Sequence, residues 1–154
     1  MIGLLQRVSS ASVIVDDQVI AAIDRGILVL VGVERDDADA QAGRLVERLL
    51  GYRVFADADG KMNLSVRDVG GGVLLVPQFT LAADTQKGMR ASFTSAAPPQ
   101  EGERLFDRVV AIARASYALV QTGRFGADMK VALINDGPVT FWLRCAPIPS
   151  GGHS

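Results

Sequence analysis

Two short segments carry the side chains and main-chain groups that could do chemistry. Pro77-Gln78-Phe79-Thr80-Leu81 closes an apolar run, and Asn135-Asp136-Gly137-Pro138-Val139-Thr140 lies near the C-terminus. Thr80 offers a hydroxyl, but a bare threonine is a weak nucleophile at neutral pH without a base beside it. The sole histidine, His153, sits in the tail Pro149-Ser150-Gly151-Gly152, and the sole cysteine is Cys145. A Ser-His-Asp or Cys-His mechanism, or a catalytic zinc, therefore lacks its usual parts. What remains is catalysis by orientation and electrostatics, with main-chain amides near Phe79 and Thr80 as the available donors.

The elements that must position these segments follow from the apolar pattern. Ile2 to Val8 alternates as a strand, and Ser12–Val15 and Gln18–Ile23 flank an Asp16-Asp17 turn. Ile27–Val33 and Val73–Val76 are continuous apolar runs, as in strands buried on both faces. Asp36-Asp37 offers an N-cap to a helix over Ala38–Leu50, with Gly51 its C-cap. Tyr52–Phe55 reads as a strand, Asp57-Ala58-Asp59-Gly60 as a turn, and Gly70-Gly71-Gly72 as a flexible joint. Residues 82–97 form a long loop, a length that is usually functional or mobile. A second helix spans roughly Gln100 to Gln121, its stripe including Leu105, Phe106, Val109 and Val120. Short strands follow around Arg124-Phe125, then Met129–Asn135 and Val139–Leu143. The order implies one α/β domain with a mixed sheet backed by helices, over 1–148, and a tail at 149–154 expected to be disordered.

The bulk composition bounds the function. The chain has 154 residues, 49% hydrophobic, enough for a core without staples. Its 16 cationic and 17 anionic residues give a net charge of −1, which argues against tight non-specific binding to long nucleic acid but permits a grip on a nucleic-acid end. One cysteine allows no internal disulfide, and its expected place is a buried strand position. The sequence carries neither a secretory signal pattern nor a membrane-length apolar run, so a soluble, cytoplasmic protein is expected.

Gln78-Phe79-Thr80 and Gly137-Pro138-Val139-Thr140 together resemble the paired motifs of the D-aminoacyl-tRNA deacylases, and the resemblance runs from Gln6-Arg7-Val8 through Thr140. It implies a three-layer α/β/β arrangement with two main helices, acting without metal or cofactor. It further implies hydrolysis of D-aminoacyl-tRNA, and of glycine mischarged on tRNA(Ala), at the ester on the 3′ end, assisted by the ribose 2′-hydroxyl. Thr80, with Gln78 and Phe79, falls at the scissile ester. The Gly137-Pro138 bond is implied to be cis, on a loop that enters the partner's site in a homodimer and rejects L-aminoacyl esters. Arg7 is implied to steady that loop. Phe125-Gly126-Ala127-Asp128-Met129 resembles the family's Phe-Gly-Ala-x-Met, implying that Phe125, Gly126, Ala127 and Met129 hold the terminal adenosine, with Lys87 and Arg90 near the phosphates.

Two positions depart from the family pattern. Pro77 stands where Ser is common, a proline shared with an animal subgroup that reads Pro-Gln-Ala-Thr and has relaxed chirality. Ala91 stands where Lys-Gly-x-Arg is commonly followed by Pro. A catalytically silent tRNA-end binding module and a small-molecule hydrolase are the competing readings.

Overall fold

The computed structural model describes residues 1–147, so the expected 149–154 tail lies outside the described residues. The chain opens with β1 (Ile2–Val15), which turns at Asp16-Asp17 into β2 (Gln18–Ile23). The alternating residues around Val8 and Val13 thus belong to one long strand rather than two. Strand β3 (Gly26–Gly32) is buried along nearly its whole length and runs antiparallel to the first half of β1.

Helix α1 (Asp39–Gly51) buries Ala42, Leu45, Val46, Leu49 and Leu50. The expected caps are corrected at both ends: Ala38 is the N-cap, and Gly51 is the last helical residue. Asp37 is buried instead, accepting from the Met1 ammonium at 2.8 Å and from the Glu34 amide at 2.7 Å. The Gln41 side chain takes over at the helix start, accepting from the Ala38 amide at 2.7 Å. Beyond α1, the expected strand Tyr52–Phe55 is reduced to β4 (Phe55–Ala56), paired in a small hairpin with β5 (Met62–Leu64).

A one-turn helix α2 (Val66–Val69) was not foreseen. Its Ser65–Asp68 capping box is a signal the sequence did hold. The glycine triplet after it has a defined backbone course. Gly70 is a left-handed C-cap, and a Cβ at Gly26 would lie 1.9 Å from the Gly72 carbonyl. Gly26 and Gly71, lacking Cβ atoms, thus let β6 (Gly72–Pro77) start flush beside β3, to which it runs parallel with Val31 opposite Pro77.

Helix α3 (Pro99–Ser116) is shorter than expected. Tyr117 turns extended, and Val120 belongs to β7 (Val120–Thr122), parallel to β6 with Val73 opposite Val120. The edge strand therefore lies before Arg124-Phe125, which falls in an irregular segment. The last two expected strands form one, β8 (Lys130–Arg144), antiparallel along the free side of β1. Cys145, buried as expected, follows it directly.

Successive side chains of a strand point to opposite faces, and β3 and β6 use both. Ile27, Val29, Val73 and Leu75 pack with Leu45, Leu49, Leu105 and Val109 of the helices. Leu28 and Leu74 pack on the other face against Val13, Val15 and Ala21. The far half of β1 with β2 is thus a second β layer, giving the α/β/β order. Among the described residues no helix is long and apolar enough to cross a membrane.

Candidate active site

The first motif sits where β6 ends. The Gln78 amide continues the β3–β6 ladder by donating to the Val31 carbonyl at 2.8 Å. The chain then tightens into a 3₁₀ turn, Phe79–Ala82. Gly32, at the end of β3, makes room for it: a Cβ there would stand 3.0 Å from the Leu81 Cβ and 3.3 Å from the Ala82 amide.

The turn leaves two donors unspent. Among the described residues, the amides of Phe79 and Thr80 donate to no group of the chain, whereas those of Gln78, Leu81 and Ala83 are all bonded. The Gln78 side-chain amide donates to Thr80 Oγ1. With its oxygen accepting, the exposed Thr80 hydroxyl keeps its proton for an outside acceptor.

Beside this turn lies a cavity of about 340 Å³, near the lower end of the range of roughly 300–1,000 Å³ for small-ligand pockets. Pro77, Gln78 and Phe79 form one wall, and Phe125, Gly126, Ala127 and Met129 another. The structure therefore brings the expected 125–129 segment to the first motif. Gly126 turns that segment at φ +77°, and Met129 folds over Gly123, where a Cβ would lie 2.9 Å from its sulfur. Val31 of β3, Val33 just past its end, Ala97, and Pro99, Gly102 and Phe106 of α3 complete the lining. These six are not legible as site residues in the sequence, because only the parallel β3–β6 pairing, the Ala97–Val33 hydrogen bond and the packing of α3 bring them here.

The second motif is held by Arg7. Along β1, Gln6 pairs with Thr140 and Val8 with Asn135. Asp136, Gly137, Pro138 and Val139 are therefore looped out opposite Arg7 alone. The Arg7 guanidinium donates from Nε to the Asp136 carbonyl at 2.9 Å and from Nη1 to the Val54 carbonyl at 2.7 Å. Gly137 has φ +134°, and a Cβ on it would lie 2.9 Å from Arg7 Nη2. The Gly137-Pro138 bond is cis. Asn135 carries no role that its place in the sequence announces. Its Oδ1 accepts from the Val139 amide at 3.0 Å, and its Nδ2 donates to Thr140 Oγ1 at 2.8 Å, closing the loop's neck.

Lys87 and Arg90 do not line the cavity; both are exposed in the loop after the 3₁₀ turn. No group of three or more His, Cys, Asp and Glu able to hold a metal ion occurs among the described residues.

Residues 4–144 match the family described as D-Tyr-tRNA(Tyr) deacylase. A D-aminoacyl-tRNA deacylase of Alkalilimnicola ehrlichii is 64% identical over 147 residues, covering 96% of this chain and 98% of the relative. One from Thioalkalivibrio sulfidiphilus is 63% identical, covering 96% and 99%. Among solved structures, a protein described as c-Myc DNA Unwinding Element Binding Protein superposes with a TM-score of 0.91 at 38% identity, covering 95% of this chain and 99% of that one. A probable eukaryotic D-amino acid tRNA deacylase shares the fold, with a TM-score of 0.79 at 20% identity over 92% of this chain and 97% of that one. With its paired motifs, its cavity and relatives of this closeness over nearly their full length, the chain belongs to the D-Tyr-tRNA(Tyr) deacylase family.

Proposed function

We propose that this protein hydrolyses the ester between a D-amino acid and the 3′-terminal adenosine of tRNA, releasing free D-amino acid and tRNA. The observation that carries the reading is the pair of unspent amides, Phe79 and Thr80, at the rim of an apolar cavity sized for a nucleoside. The adenine enters between Phe125 and Met129, with Gly126 and Ala127 beside it, and Lys87 and Arg90 face the acceptor-end phosphates.

The ester carbonyl then lies over the turn. As water adds to the carbonyl carbon, the two amides and the Thr80 hydroxyl stabilise the oxyanion, and Gln78 fixes that hydroxyl. As the C–O3′ bond breaks, the neighbouring ribose 2′-hydroxyl passes its proton to the leaving O3′ and takes up the proton that the attacking water loses, so the 2′-hydroxyl is regenerated and the acid and the 3′-hydroxyl are released. No metal or cofactor takes part, which suits a site built from amides, a hydroxyl and apolar walls.

Selection for the D hand, in this reading, comes from the Gly137-Pro138 loop of a second protomer. Its main chain fills the space an L side chain needs and leaves room for a D side chain or for glycine, so glycyl-tRNA(Ala) is also a substrate. Rejection of one hand requires no reading of the side chain itself. A two-fold homodimer is supported by β8, which among the described residues pairs only with β1 and exposes Ile134 and Trp142, 62% and 57% accessible. The enzyme acts in the cytoplasm, on charged tRNA ends.

The direct test is release of D-tyrosine from D-tyrosyl-tRNA with a chelator present. Hydrolysis that persists with chelator and falls at least tenfold in Thr80→Val supports the reading. Binding of tRNA without turnover would identify a silent end-binding module instead.

A further inference from the structure

Beyond the cavity mouth, two phenylalanines face solvent as a pair. Phe79 and Phe93 have ring centroids 5.3 Å apart and planes inclined by 39°, yet are 61% and 46% exposed. Phe79 lines the cavity and Phe93 does not, so the pair carries the aromatic surface outward from the site.

Phe93 is held there by its backbone. The loop is clipped at its base by two hydrogen bonds between Asp84 and Ser92, at 2.7 and 2.8 Å. On the far side, the Arg35 amide donates to the Ser95 carbonyl at 2.9 Å and the Ala97 amide to the Val33 carbonyl at 3.1 Å. Ser95 Oγ donates to the Ala82 carbonyl at 2.8 Å, tying the loop to the 3₁₀ turn itself. Between Asp84 and Ser92 the loop tip presents Lys87 and Arg90, exposed and without an ion-pair or hydrogen-bond partner among the described residues. A fixed, solvent-facing aromatic pair flanked by free cations is the arrangement that stacks a base of single-stranded nucleic acid and neutralises its phosphate.

We propose that Phe93, with Phe79, forms a stacking platform for the nucleobase that precedes the terminal adenosine, a second nucleotide subsite outside the adenosine cavity. This rests on the deacylase reading for the placement of the adenosine. The chain leaving the cavity passes the Phe79 rim, and its penultimate base, a cytosine in tRNA, covers the exposed pair. Any base has a π-face, so the subsite measures the presence of a second nucleotide rather than its identity.

The experiment compares binding of two probes, adenosine monophosphate and the dinucleotide CpA, to wild type, Phe93→Ala and Phe93→Tyr. Wild type is expected to bind CpA about tenfold more tightly than the mononucleotide, one base–aromatic stack. Phe93→Ala is expected to lose that advantage while binding the mononucleotide within about twofold of wild type, and Phe93→Tyr to keep it. Equal weakening of both probes by Phe93→Ala, or an unchanged CpA advantage, would overturn the platform. Because the readout is binding, failure of D-tyrosyl-tRNA hydrolysis would strike the deacylase reading alone.

Discussion

Arg7 Nε donates to the main-chain carbonyl of Asp136 at 2.9 Å, fastening the Gly137-Pro138 loop to β1 where the β1–β8 ladder opens between Gln6 and Val8. The Asp136 carboxylate adds little, at 3.9 Å and 58% exposed. The Arg7 side chain is only 16% exposed, and its guanidinium serves two carbonyls on different segments from a rigid fork that an ammonium lacks. Charge-assisted bonds of this kind contribute about 1.5–3 kcal/mol each. Arg7→Ala is expected to lower kcat/KM on D-tyrosyl-tRNA at least tenfold, with Arg7→Lys recovering part of it. A fully active Arg7→Ala enzyme would remove the loop-fastening role.

Gly137 tolerates no side chain. At φ +134° a Cβ would meet Val139 Cγ2 at 2.7 Å as well as the guanidinium. Gly137→Ala is expected to cost about 1–3 kcal/mol in urea unfolding and to depress D-ester hydrolysis. Unchanged stability and rate would mean that the loop adapts freely.

Asn135 makes a sharper test of the loop's neck, because its side chain bonds to the two residues that close the loop, Val139 and Thr140. Asn135→Ala strands the Val139 amide and releases Thr140, with an expected loss of about 1–3 kcal/mol at the denaturation midpoint. Asn135→Asp should lose less, since its carboxylate still accepts from Val139.

The two motifs are legible in the sequence because each is a short contiguous string that resembles the family's; as bare residues they are a turn closing a buried run and a Gly-Pro between apolar segments. The cavity is not, because its far walls depend on pairings distant in the chain. Val31 reaches the site through its register with Pro77, and Phe106 reads in sequence as ordinary helix stripe. Helix α3 was overextended because Val120 falls in step with Val109 and Ala113, yet Tyr117 breaks the helix and Val120 pairs beside Val73. Asp37 read as a cap because capping is local, while its true partner, the Met1 ammonium, is 36 residues away.

Whether the loop acts across a dimer can be decided by mixing. Thr80→Val spoils the turn and keeps the loop; Gly137→Val does the reverse. Each homodimer should be inactive. Refolded together in equal amounts, about half the dimers are mixed and each holds one intact site, so roughly a quarter of wild-type activity is expected. An inactive mixture would place the loop in its own protomer's site.

Glu34 ties the start of the chain to the end of β8 and sets part of the acid stability. Burial raises its pKa, but hydrogen bonds and charge from Arg144 and the Met1 ammonium outweigh this and hold it below the ordinary glutamate value. Its contribution is therefore present above the unfolded value and lost as pH falls through the lower folded value. Asp37 titrates in the opposite sense, because burial pushes its pKa up against the same ammonium. The stability gap between wild type and Glu34→Gln should be constant near neutral pH and shrink on acidification below the glutamate range. A gap that widened there would reverse the assignment.

The central claim is met most directly by single-turnover hydrolysis of D-tyrosyl-tRNA and L-tyrosyl-tRNA by the wild-type enzyme. Rapid loss of the D ester, with the L ester no faster than without enzyme, is the expected result, even with Pro77 in place of the family's common serine. Equal loss of both esters would contradict selection by the Gly137-Pro138 main chain.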